Sequence, residues 1–234
     1  MLSACLLRDS SGYNAFIKSR VIPYVSTGAS ALFNGSSQYL TVNASSDFSV
    51  GTGDFTIEWF QYALTPQNSH PRIFAIGNYP STTIGVSIEG GLFYLWLNGG
   101  ANFGYSLSNY LNQWVHFAIV RNGSTVNVYQ NGTSLSSITY SSSISNSSTN
   151  LAIGQETSPS SGSYVSGNIT NFRWTNSAIY TSNFVKPTSP LSALPQTKLL
   201  LLFSSSGNLL TDSSGTGKTV TNNGGVSWNV STPF

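Results

Sequence analysis

Residues 54–60 read Asp-Phe-Thr-Ile-Glu-Trp-Phe. Phe55, Ile57 and Trp59 alternate with Thr56 and Glu58, which puts three large apolar side chains on one face of a β-strand. The same period of two continues on either side. Ile84, Val86 and Ile88 alternate with Gly85, Ser87 and Glu89; Gly90-Gly91 then supplies the positive φ of a tight turn, and Phe93, Leu95 and Leu97 run back. Val115, Phe117 and Ile119 form another strand. It turns at Arg121-Asn122-Gly123-Ser124 into Val126 and Val128, and Asn131-Gly132 makes the next turn. Leu151–Ile153, Ile169–Trp174 and Leu199–Phe203 add more. Phe93-Tyr94-Leu95-Trp96-Leu97 is apolar on both faces, as in a strand that is central to a two-sheet sandwich or carries a binding face. No stretch of ten residues follows the helical period, so the chain is predicted to be an all-β antiparallel sandwich (jelly roll) of about a dozen strands.

The composition agrees. The chain has 234 residues, 39% hydrophobic and only 7% charged, with 13 Phe, 12 Tyr and 5 Trp. Disordered chains are poor in aromatics; here Ser, Thr, Asn and Gly replace charge over an aromatic core. Nine basic and seven acidic residues give a net charge of +2, too weak and scattered for a nucleic-acid footprint or a polybasic membrane anchor. The single Cys, Cys5, excludes an internal disulfide and a Cys-based zinc site. No apolar run is long enough to span a membrane as a helix, and Met1–Leu7 lacks the positive lead of a secretory signal.

No linker divides the chain. Residues 1–234 are expected to form one sandwich, with 1–29 as an N-terminal arm or edge strands and 199–234 as closing strands. Tyr13–Tyr24, with Lys18 and Arg20, is the candidate arm. Leu6–Gly12 (Leu-Leu-Arg-Asp-Ser-Ser-Gly) echoes Leu209–Gly215 (Leu-Leu-Thr-Asp-Ser-Ser-Gly), which suggests that the two ends make similar pieces lying close together. Ser141–Thr149 and Thr157–Ser163 read as surface loops.

Six segments together resemble a known family. Ala31-Leu32-Phe33-Asn34-Gly35-Ser36-Ser37-Gln38-Tyr39-Leu40, Asp54–Trp59, Trp114-Val115-His116-Phe117-Ala118-Ile119-Val120-Arg121, Val128-Tyr129-Gln130-Asn131-Gly132, Leu151–Gly154 and Gly167–Arg173 stand in the order of the strands of laminin-G-like, concanavalin A-like lectin-glucanase domains. The resemblance covers about residues 30–175. Asn171–Phe184, followed by Pro187 and Pro190, is most similar to the Ser/Asn-rich members seen in phage and large DNA virus fibre or minor capsid proteins. Phe33, Trp59, Trp114 and Phe117 are read as core fillers, and His116 as a packed, hydrogen-bonded residue.

Some relatives of this fold hydrolyse glycosides with two carboxyl groups about 5–5.5 Å apart for retention or about 6.5–9.5 Å for inversion. Their E-x-D-x-x-E strand is absent. Asp54 and Glu58 share a strand face at roughly 13 Å, and Glu89 and Glu156 have no sequence reason to meet. His70, a loop residue, and His116 lack a nucleophile motif. The expectation is no enzyme. Asp47, Asp54 and Asp212 are isolated, each suited to a turn or cap, so no cofactor is expected and a structural Ca²⁺ lacks its Asp cluster.

Sugar binding requires a stacking aromatic beside amides and hydroxyls. Asn78 and Tyr79 in one predicted loop, and Asn102, Tyr105 and Tyr110 in another, offer both. Seven N-x-[ST] sequons occur, at Asn34, Asn43, Asn122, Asn131, Asn146, Asn168 and Asn229. With 22 Asn in a chain so rich in Ser and Thr, chance alone yields about six.

The resemblance thus implies a non-catalytic structural and recognition module: a virion minor capsid or fibre protein, displayed on the virion surface. Its expected partners are neighbouring capsid or fibre subunits and host or viral glycans, with no nucleic acid and no membrane insertion. The alternative is a secreted, extracellular lectin or glycan-active enzyme of the same superfamily.

Overall fold

The computed structural model describes residues 29–234. Cys5, the Leu6–Gly12 half of the echo and the candidate arm lie outside the described residues. The alternating segments form fifteen strands rather than a dozen. They are β1 (Ser30–Asn34), β2 (Tyr39–Val42), β3 (Phe55–Ala63), β4 (Arg72–Ile76), β5 (Ile84–Glu89), β6 (Leu92–Leu97), β7 (Gly100–Ser106), β8 (Trp114–Asn122), β9 (Thr125–Gln130), β10 (Thr133–Thr139), β11 (Leu151–Ile153), β12 (Ser166–Thr175), β13 (Thr197–Leu201), β14 (Val220–Asn223) and β15 (Ser227–Asn229). β7 and β10, rich in Gly, Ser, Asn and Thr, carry too weak an alternation to be read as strands. Among the described residues the helical content is two 3₁₀ turns, and no helix is long and apolar enough to cross a membrane.

Two antiparallel sheets face each other. One has eight strands in the order β10-β9-β8-β3-β12-β1-β15, with β13 also on β12; the other has seven, β14-β2-β11-β4-β5-β6-β7. β12 holds two partners on one side. Its first half pairs with β1 and its second with β13, and its register against β3 shifts between Thr170 and Arg173, where Asn171 has φ 53°. Such a bulge bends a strand locally. The closing segment sends β13, β14 and β15 to β12, β2 and β1 respectively.

Trp59 sits at the centre of the core. Its ring lies 5.5 Å from Phe117 and 6.4 Å from Phe172, stacked on both, and meets the edge of Phe74 at 5.6 Å. Truncating a buried aromatic of this size costs about 3–5 kcal/mol. Trp114 corrects the sequence reading. It occupies an outward position of β8, half-buried, with its indole Nε1 on Ser231 Oγ and its ring against Tyr62. Inward positions of β8 are Val115, Phe117 and Ile119, so parity sends Trp114 to the other face.

The outward face of the eight-stranded sheet is covered by its own chain. Residues 176–194, after β12, cross it as a strap. Ile179 N donates to Thr56 Oγ1, Phe184 N to Gly132 O, Leu191 N to Asn171 Oδ1, and Arg173 Nη1 to Ser192 O. Ala178, Tyr180 and Phe184 pack on Ala118, Val120 and Tyr129. Tyr180 and Phe184 stack at 3.6 Å.

Candidate functional site

Among the described residues, two clusters of titratable groups on the outward sides of the sheets bear on function, one on each sheet. Under the strap, the Glu58 carboxylate is fully buried and receives Arg173 Nε at 3.0 Å, His116 Nε2 at 3.0 Å and Tyr180 Oη at 3.0 Å. Burial pushes this carboxyl up, but the His116 hydrogen bond and the Arg173 charge outweigh it and hold it below its ordinary value. Glu58, His116 and Arg173 are buried and Tyr180 belongs to the strap, so the cluster is a clasp for it. It gives His116 the packed, hydrogen-bonded place expected of it.

The other cluster is open. On the outward face of the seven-stranded sheet, Arg72 of β4, Glu89 of β5 and Trp96 of β6 converge with Tyr79, Glu156, His70 and Ser160–Ser163 around a pocket of about 390 Å³. Strand alternation places Ser87, Glu89 and Trp96 here, because Ile84, Val86, Ile88, Leu95 and Leu97 take the core side. A relay links them: Trp96 Nε1 donates to Ser87 Oγ at 2.9 Å, and Ser87 Oγ to Glu89 Oε1 at 2.6 Å. Arg72 lies over the Trp96 ring, its Cζ 4.7 Å from the centroid. Its Nη1 is 3.3 Å from Glu89 Oε1 and its Nε 3.9 Å from Glu156 Oε2. Burial pulls this guanidinium down from its ordinary value while Glu89 and Glu156 pull it back up; it stays cationic.

The rim is built by two loops. Tyr79 N donates to Glu156 Oε2 at 2.9 Å, and Ser160 Oγ to Glu156 Oε1 at 2.9 Å, so Glu156 joins residues 77–83 to residues 154–165. Gly77 makes the first loop's tight return: at φ 88°, a Cβ there would lie 2.8 Å from Ser81 O. The Tyr79 ring stands edge-on to Trp96 at 5.5 Å and is 58% exposed, over a Trp96 only 9% exposed. Arg72, 6% exposed, has an Nε with no hydrogen-bond partner. An aromatic wall with convergent polar groups is the makeup of a small-ligand site.

Of the sugar-binding residues expected from sequence, Tyr79 lines this pocket and Asn78 lies exposed beside it in the same loop. Asn102 and Tyr105 lie not in a loop but on β7, an edge strand. The side chain of Asn102 falls outside the described residues. Tyr105 and Tyr110 pack, partly buried, against the core and do not line the pocket. Arg72, Glu89, Trp96 and Glu156 were not anticipated as a site; Glu89 and Glu156, which have no sequence reason to meet, both reach one guanidinium through the tertiary fold. The signal that pointed here was the two-faced apolar run Phe93–Leu97.

The sequons separate by burial. Asn34, Asn43, Asn122 and Asn131 are exposed, and Asn146 and Asn229 are half-buried. Asn168 is 5% exposed and donates Nδ2 to Ser30 Oγ, which removes it as an acceptor in the folded chain. The isolated acids do not fit a cation. Asp47 pairs with Lys218 at 2.5 Å and Lys198 at 3.6 Å, Asp54 accepts Gly123 N, and Asp212 accepts the backbone of Leu200, Ser214 and Lys218. Among the described residues no three His, Cys, Asp or Glu side chains gather as metal ligands.

Comparison with known proteins places the fold. A Bacteroides ovatus protein assigned to carbohydrate binding superposes with a TM-score of 0.66 at 13% identity, over 86% of this chain and 59% of its own. The chain thus spans less than two thirds of that neighbour. The heptameric SAP-like pentraxin of Limulus polyphemus superposes with a TM-score of 0.61 at 15% identity, over 88% of this chain and 96% of its own. The extracellular region of zebrafish Gpr126/Adgrg6 does so at 0.51 and 18%, over 85% of this chain and 26% of its own. No curated protein matches in sequence. Residues 34–182 match the family model of the laminin-G-like concanavalin A-like lectin/glucanases, and the chain belongs to that superfamily.

Proposed function

We propose that the chain is a non-catalytic carbohydrate-recognition module, with the Tyr79–Trp96–Arg72 pocket as its sugar site. The observation that carries this reading is the pairing of an exposed aromatic, Tyr79, with a buried and incompletely hydrogen-bonded Arg72 between two carboxylates in one concave site. Sugar rings stack on aromatic faces through their apolar C–H side, and their hydroxyls pair with fixed polar groups. The fold neighbour assigned to carbohydrate binding supports the same assignment.

Two carboxylates in a groove are also what a glycosidase needs, and the hydrogen bonding favours binding. A general acid must arrive protonated and donate. The carboxylates of Glu89 and Glu156 accept in each hydrogen bond they make and share the charge of Arg72 between them.

The finer part of the proposal is location. The sparse charge and the likeness of Asn171–Phe184 to phage and large DNA virus proteins support a minor capsid or fibre protein on a virion surface, packed beside neighbouring subunits through uncharged polar contacts. A secreted lectin is the alternative. A glycan array with the recombinant chain, followed by product analysis of each bound glycan, tests the central reading. Expected are binding without hydrolysis and loss of that binding in Tyr79→Ala; released product would make the chain an enzyme, and binding indifferent to Tyr79 would move the site elsewhere.

A further inference from the structure

Resting on the carbohydrate reading of this pocket, we infer that its ligand is an uncharged glycan whose hydroxyls donate to Glu89, and that sialylated, sulfated or uronic-acid sugars are turned away. Arg72, Glu89 and Glu156 are the pocket's charged lining residues, and their formal charges sum to one excess negative charge. The charge of the cation is already met by the two carboxylates. Arg72 has its Cζ 4.7 Å from the Trp96 ring centroid, gives Nη1 to Glu89, has Glu156 beside Nε, and is 6% exposed. Between partly buried groups such as these, charge–charge terms are larger than in water. An added carboxylate or sulfate would meet the uncompensated charge at close range.

The hydrogen-bond inventory points the same way. Glu89 Oε1 takes Arg72 and Ser87, whereas Oε2 accepts no hydrogen bond among the described residues and the side chain is 22% exposed. That oxygen calls for a donor. A sugar hydroxyl donates, but a carboxylate or sulfate only accepts. Tyr79 and Ser161 serve either kind of ligand, so discrimination falls to Glu89.

The test compares matched pairs: N-acetyllactosamine with its sialylated and its sulfated forms, and xylan oligomers with and without glucuronate. Uncharged members should bind at least about tenfold tighter than their acidic counterparts, a ratio that shrinks as salt screens the repulsion. Glu89→Gln, which keeps the shape and replaces the charge, should narrow the ratio severalfold. Equal or tighter binding of the acidic members, or a ratio indifferent to both salt and Glu89→Gln, overturns the inference while leaving the sugar site in place. Failure to bind any glycan on a broad array overturns the carbohydrate reading itself, and this inference with it.

Discussion

Tyr180 Oη donates to Glu58 Oε2 at 3.0 Å, so a residue of the strap closes over a carboxylate at the fully buried centre of the eight-stranded sheet. Tyr180→Phe removes one hydrogen bond to a charged group, worth about 1.5–3 kcal/mol. Glu58→Ala is more severe, about 3–5 kcal/mol, because it leaves the Arg173 guanidinium buried without its counter-charge. Urea titrations of the two variants measure this. A Tyr180→Phe protein within a few tenths of a kcal/mol of wild type would show that this hydrogen bond does not hold the strap.

Acid should loosen the same clasp. Glu58 is held below its ordinary value of 4.5 because the His116 hydrogen bond and the Arg173 charge outweigh burial. The Lys218 hydrogen bond holds Asp47 below 3.8, and at Asp212 burial is outweighed by the backbone N–H groups of Lys218 and Ser214, with the same outcome. A depressed carboxyl binds its proton more readily in the unfolded chain, so its contribution is complete above about pH 4.5 and drains away as pH falls through the folded value. The contribution of these carboxylates should be constant down to about pH 5 and fall steeply below. Glu58→Gln should start lower at pH 7 and lose less on acidification; identical slopes would remove Glu58 from the linkage.

The strap also depends on a glycine. Gly132 sits at φ 82°, and a Cβ there would lie 1.9 Å from Phe184 O, the oxygen of a residue whose own N–H donates to Gly132 O. Gly132→Ala therefore has to lift the strap near Phe184. The expected outcome is faster amide exchange across residues 178–186 with the Trp59 core unaffected. Unchanged exchange there would mean that the turn at Asn131-Gly132 yields instead.

The strands whose alternation was strong, such as Phe55–Trp59 and Ile84–Ile88, were legible because one buried face forces a period of two. β7 is hidden in the sequence because Gly100, Asn102 and Gly104 blur that period, and Trp114 shows parity outweighing size, since its place on β8 faces away from the core. The pocket was legible only in part. Tyr79 was found as an aromatic in an amide-rich loop, but Arg72, Glu89, Trp96 and Glu156 come from segments up to 84 residues apart. Only the sheet order β11-β4-β5-β6 brings them together. Short-range pattern carries strand identity; it carries no information about which strands become neighbours.

Burial makes the sequons unequal. In a eukaryotic secretory host, Asn34, Asn43 and Asn122, all exposed, should accept glycans. Folded, secreted protein should carry none at Asn168, because its amide sits on Ser30 Oγ inside the sheet, where a glycan has no room. Peptide mapping after enzymatic deglycosylation reads this directly. Substantial occupancy at Asn168 would contradict the pairing of β1 with β12.

Ser87 is the buried joint of the pocket. Its Oγ takes Trp96 Nε1 and gives its proton to Glu89 Oε1, so one hydroxyl orients both the aromatic floor and the carboxylate. Ser87→Ala leaves the indole N–H unpaired where water cannot replace the partner, a cost of about 1–3 kcal/mol. It also leaves Arg72 as the one donor fixing Glu89. Sugar affinity should fall severalfold, more than the stability loss alone would cause at temperatures where the variant stays folded, and Trp96 fluorescence should shift. Ser87→Thr keeps the hydroxyl and separates the two effects. If Ser87→Thr restores affinity while Ser87→Ala does not, the relay positions the site; if both variants bind as wild type does, Trp96 and Glu89 are held in place without it.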